Sequence, residues 1–150
     1  MAISSTGAFD LMILGVKGAY DPSTSGVASH YLHIGEDGKV SLDLTGPNSD
    51  HFSDRFTGAS TFKMGQENTL SLTLTRVSKD ALTITIEING EKVLLEGETF
   101  EGSRGVYSVD ENGVLTNTYP SSNSGMGQRF GVYPEGDSIV TISGLAIENN

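Results

Sequence analysis

Apolar and polar residues alternate with a period of two along most of this chain. In Lys39–Thr45, Val40, Leu42 and Leu44 stand against Ser41, Asp43 and Thr45. Thr69–Arg76 sets Leu70, Leu72 and Leu74 against Ser71, Thr73 and Thr75, and Ala81–Ile88 sets four aliphatics against Thr83, Thr85 and Glu87. A period of two sends alternate side chains to opposite faces, so each run predicts a half-buried strand. The polar partners are mostly Thr and Ser, which suit a pleated, solvated face. No window of similar length carries the i, i+3, i+4 pattern of a helix, and the fold class is all-β.

Turn chemistry divides the runs. Asn89-Gly90 predicts a two-residue hairpin between Leu82–Ile88 and Glu91–Glu96. Glu36-Asp37-Gly38 and Glu111-Asn112-Gly113 predict two more hairpins, and Ser78-Lys79-Asp80 turns the chain between two long Thr-rich strands. Further strands are expected at Phe9–Val16, Phe130–Tyr133 and Ser138–Ile147, the last with a bulge at Gly144 where the apolar parity changes. About ten short strands at this spacing predict a single-domain antiparallel β-sandwich of the jelly-roll type or a barrel. The large inward aliphatics fill a small core, which favours the sandwich. Three polar stretches interrupt the strands: Asp21–Gly26, Gly46–Ser60 and Pro120–Gln128.

The length of 150 residues suits one domain. Acidic residues outnumber basic ones 19 to 9, a formal net charge of −10. With no basic cluster, the chain has no long-range attraction for a nucleic-acid backbone or an anionic membrane. It has no Cys, hence no disulfide framework, thiolate metal site or Cys nucleophile. The apolar run Leu11–Val16 is too short to span a bilayer and lacks a basic segment before it, so neither membrane insertion nor a signal peptide is expected. The chain reads as soluble, or as a domain of a longer protein with neighbouring domains or identical copies as partners.

Two segments resemble the concanavalin-A-like jelly rolls, the fold of laminin-G-type modules, galectins and many bacterial carbohydrate-binding domains. Asn68–Val93, NTLSLTLTRVSKDALTITIEINGEKV, is similar to their paired strands, in which an Arg-ending strand, a short turn, a second strand and a Gly-containing hairpin follow one another. Arg129–Asn149, RFGVYPEGDSIVTISGLAIEN, is similar to their closing pair, and His51–Phe56 is loosely similar to the galectin strand that carries His and Arg. The resemblance implies the concanavalin-A-like fold.

Catalytic patterns are missing. Retaining glycosidases on jelly rolls need two carboxylates about 5–5.5 Å apart on one strand face. No strand here carries acids at i, i+2 or i, i+4 in an apolar setting, and Glu96, Glu98 and Glu101 fall in a Gly-interrupted run that reads as a solvated acidic turn. No nucleophile elbow, phosphate loop or H-E-x-x-H occurs. His30 and His33, three apart on a strand, face opposite ways and cannot ligate one ion together.

Two loops offer recognition chemistry, because long loops on a rigid β scaffold gather binding residues. Sugar sites combine amide, carboxylate and guanidinium groups for the hydroxyls with an aromatic face for the C–H side. The first loop supplies Asn48, Asp50, His51, Asp54 and Arg55; the second supplies Tyr119, Asn123, Gln128 and Arg129. Asp50 and Asp54 are the candidate ligands for a hard cation such as Ca²⁺, against a reading as a solvated, Asx-capped turn. The expectation is a non-catalytic module that binds a glycan, with Ca²⁺ as cofactor, as a lectin or adhesin domain. Acidic, Cys-free, Thr/Gly-rich β domains are common in large secreted bacterial adhesins, which points to the cell surface or beyond. The alternatives are an assembly protein such as a phage tail component, and a peptide-binding adhesin domain.

Overall fold

The computed structural model describes residues 1–15, 29–45, 55–102, 105–118 and 129–146. They form thirteen strands in two antiparallel sheets with no helix among them. No helix is long and apolar enough to cross a membrane among the described residues. The five-stranded sheet has the order β12 (Arg129–Pro134), β2 (Phe9–Gly15), β3 (Ser29–Ile34), β4 (Val40–Thr45), β5 (Phe56–Gly58). The second sheet runs β13 (Val140–Ser143), β1 (Ala2–Ser5), β6 (Asn68–Ser78), β7 (Ala81–Ile88), β11 (Leu115–Thr118), β10 (Gly105–Val109), β9 (Phe100–Gly102), with β8 (Glu91–Lys92) paired to β7.

Alternation decides which side chains go inside. Phe9, Leu11, Ile13, Leu32, Ile34, Val40, Leu42 and Phe56 of the first sheet join Leu70, Ile84, Ile86, Ile88 and Leu115 of the second in one buried cluster. Burying each such side chain is worth about 1.5–3 kcal/mol. The arrangement is sandwich-like, and at one edge the sheets are stitched together. Thr57 of β5 exchanges backbone hydrogen bonds with Glu96 (2.9 and 2.8 Å), and Val93, three residues earlier, donates to Ile86 of β7.

The predicted hairpins are in place. Asn89 and Gly90 both have positive φ (55° and 77°), the geometry of a type I′ turn, and Ile88 pairs with Glu91. The Glu36–Gly38 and Glu111–Gly113 turns join β3 to β4 and β10 to β11. Three details differ from the sequence pattern. The strand expected over Glu91–Glu96 stops at Lys92, because the chain leaves β7 to reach β5. Glu101 lies in β9 rather than in a loop. Gly144 adopts φ 62° just after β13 ends at Ser143, so it terminates the strand instead of bulging it. The short strands β1 and β5 alternate in burial as well, over too few residues for the pattern to show in the sequence.

The strand directions give the molecule two unlike ends. At one, the tight turns around Gly38, Lys63–Gln66, Asn89-Gly90 and Asp110–Gly113 gather. At the other, the described residues that flank the interrupted stretches gather: Gly15 pairs with Arg129, Ser29 with Thr45, and Thr118 with Val106.

Candidate functional site

The loop end is organised by a file of rings between the sheets. His30 on β3 is buried, and its ring lies 5.8 Å from that of Tyr107 on β10, with Nε2 3.4 Å from the Tyr107 hydroxyl. Tyr107 stacks on Phe100 of β9 at 6.2 Å, and the Arg55 guanidinium lies 4.1 Å from the Phe100 ring centre. A cation held over a ring face gains about 0.5–1 kcal/mol at an exposed site. The file therefore runs from an exposed guanidinium inward to a buried imidazole, and it ties β5, which Arg55 immediately precedes, to the far edge of the other sheet.

Asn117 stands beside this file, opposite Tyr107 in the β10–β11 register. Its side chain is 0% exposed, yet neither amide atom finds a hydrogen-bond partner among the described residues. A buried polar group without a partner costs about 1–3 kcal/mol. Buried polar groups this isolated are rare.

Of the residues singled out in the sequence, Asn48, Asp50, His51, Asp54, Tyr119, Asn123 and Gln128 lie outside the described residues. Arg55 is described and heads the ring file. Arg129 opens β12 opposite Gly15. The two stretches chosen by composition are thus anchored at one end of the molecule. Thr45 and Arg55 flank the first, Thr118 and Arg129 flank the second, and the His30–Tyr107 contact joins β3 and β10, the strands paired with those that carry Thr45 and Thr118.

A second constellation was not legible in the sequence. On the outer face of the five-stranded sheet, Asp10 of β2 and His33 of β3 are direct cross-strand partners. His33 Nδ1 lies 2.9 Å from Asp10 Oδ1 and 3.2 Å from Oε1 of Glu135, which follows β12. His30 and His33 do face opposite ways, so the two imidazoles share no site. His33 instead meets carboxylates from residues 23 positions before it and 102 positions after it, pairings that only strand register can reveal. Beside the cluster, Tyr31 and Tyr133 meet edge to face at 6.0 Å.

No family model, no curated protein and no solved structure matches the chain.

Proposed function

We propose that this chain is a non-catalytic recognition module that binds carbohydrate at its loop end, on a jelly-roll sandwich of the concanavalin-A-like type. The observation that carries the reading is convergence. Two stretches selected for their amide, acidic, guanidinium and aromatic content are flanked by residues at one end of the fold, where Arg55 adds an exposed cation seated on Phe100. Sugars are recognised by that mixture, the polar groups taking hydroxyls and a ring taking the C–H face. Ca²⁺ at Asp50 and Asp54 belongs to the same reading, as does a place outside the cell within a larger adhesin.

The test is a glycan array probed with the intact chain, once with millimolar Ca²⁺ and once with a chelator. Selective binding that falls at least tenfold in Arg55→Ala is the expected result. Loss on chelation adds the metal, and binding indifferent to the chelator removes it. A blank array in both buffers overturns the carbohydrate reading.

A second reading, assembly through a strand edge, has its own observation. β1 covers β6 only at Asn68 and Thr69, with Met1 and Leu70 exchanging terminal hydrogen bonds. From Ser71 to Ser78 that side of β6 has no partner strand among the described residues, and Leu74 and Val77 are exposed along it. Open edges of this kind accept added strands. A concentration-dependent oligomer with a blank array selects this reading.

A further inference from the structure

The Asp10, His33 and Glu135 cluster lies away from the loop end and serves no part of the recognition reading above. Its donors are an imidazole nitrogen and two carboxylate oxygens, all within 4.8 Å of one another. Each comes from a separate, pinned piece of backbone. Asp10 and His33 are locked by the β2–β3 register, and Glu135 is fixed where its N–H donates to Ala8 (3.1 Å) and its carbonyl accepts from Ser138 (3.0 Å).

Two arrangements can satisfy the three groups. As an ion pair, one Nδ1–H would have to serve two carboxylate oxygens, although an N–H points along a single line. A cation placed among the three could take one lone pair from each donor. Donors bound at about 2.1 Å to one ion lie about 3.0–3.4 Å apart for octahedral to tetrahedral angles. Of the observed Nδ1–O separations, 3.2 Å lies within that range and 2.9 Å just below it. The side chains are 30%, 32% and 50% exposed, which leaves the remaining positions to water. A solvent-open hollow lined by Glu36, Glu135 and Asp137 adjoins the cluster and offers a negatively charged approach.

We propose that Asp10, His33 and Glu135 form a binding site for a divalent transition ion of the Zn²⁺ class on the outer face of the five-stranded sheet. The imidazole selects the class, since nitrogen donors favour Zn²⁺ and its neighbours while Ca²⁺ and Mg²⁺ prefer all-oxygen sites. Zn²⁺ sits there on three protein donors with an open position, and binding needs neither Asp50 nor Asp54.

The experiment is a calorimetric titration of the metal-stripped full chain with Zn²⁺ and, separately, with Ca²⁺, followed by imidazole ¹⁵N spectra of the three histidines. One equivalent of Zn²⁺ is expected, with the His33 Nδ1 resonance shifted and the His30 and His51 resonances unmoved. His33→Gln and Asp10→Asn are each expected to weaken binding at least tenfold, and Asp50→Asn to leave it unchanged. Circular dichroism of the variants confirms that they are folded. Absence of Zn²⁺ binding, Zn²⁺ binding that survives His33→Gln, or Zn²⁺ binding without a His33 Nδ1 shift overturns the proposal and leaves an ion pair alone.

Discussion

The two ends of the molecule each bury an asparagine, and they treat it oppositely. At the turn end, Asn68 is 2% exposed and fully employed. Its Oδ1 accepts from the Lys63 N–H (2.8 Å) and from Asn89 Nδ2 (3.0 Å), and its Nδ2 donates to the carbonyls of Lys63 (3.0 Å) and Gln66 (2.9 Å). Asn89 continues the relay, donating to Thr61 and accepting from the Thr69 N–H. At the loop end, Asn117 is as deeply buried and has no partner among the described residues. One amide closes three segments of backbone into a rigid cap. The other sits beside an aromatic file that leads outward to an exposed guanidinium. Polar burial that is fully satisfied stiffens the scaffold, whereas Asn117 gains nothing from the described residues for the water it gave up.

The hardest way to break this contrast is at Asn68. Asn68→Ala removes four hydrogen bonds at once and leaves the Lys63 N–H and the Gln66 carbonyl without their partner, while Asn89 keeps Thr61 and the Lys63 carbonyl keeps the Gln66 N–H. With about 1–3 kcal/mol lost where a buried group is left without a partner, and less where water can reach it, we expect a destabilisation of about 2–3 kcal/mol. Denaturant unfolding of the purified variant measures it, and a loss below about 1 kcal/mol would show that the relay is dispensable.

Asn117 predicts a change of the opposite sign and smaller size. Leucine shares asparagine's branching at Cγ, is somewhat larger and has no polar atoms, so Asn117→Leu exchanges two unpartnered groups for apolar contact with Tyr107 and Leu82 across the strand pairs. A gain of about 1–2 kcal/mol in unfolding free energy is expected. A loss of that size would instead mean that the amide has partners in solution.

The scaffold was legible to the extent that it rests on local pattern. Strands β3, β4, β6 and β7 and the turns at Gly38, Gly90 and Gly113 follow from alternation and φ-specific residues, both written within a dozen positions. Strands β1, β5 and β9 did not, because two or three inward side chains carry too little periodicity. The same limit governs the sites. The odd spacing of His30 and His33 fixes their faces, but their neighbours come from register. Tyr107 lies 77 positions from His30, and no spacing rule reaches it. Arg55 was legible as a polar group in a loop, whereas its seat over Phe100 depends on β9 pairing with β10.

The smallest expected effect sharpens the picture of the turn end. Asp110 Oδ1 accepts the backbone N–H groups of Asn112 and Val114, both at 2.9 Å, and so holds the turn that joins β10 to β11. The Val114 hydrogen bond, ahead of that from Asn112 and the attraction of Lys92, keeps this carboxyl below its ordinary value against a weaker opposing desolvation. A carboxyl whose folded value is depressed binds its proton more weakly than in the unfolded chain. Its contribution to stability is therefore complete above the unfolded value and is lost as pH falls through the folded one. Asp110→Asn keeps an acceptor and removes the charge, so wild type should exceed the variant in stability at neutral pH, and the gap should close in acid below the usual carboxylate range. Denaturant midpoints of the two proteins across that range measure it, and a gap that stays constant with pH would assign the turn to its backbone hydrogen bonds instead. Unlike the buried amide of Asn68, this carboxylate stands in water, where competing solvent weakens each bond it makes. The turn end is thus held from inside by an amide that has no alternative partner and trimmed from outside by a charge that has many.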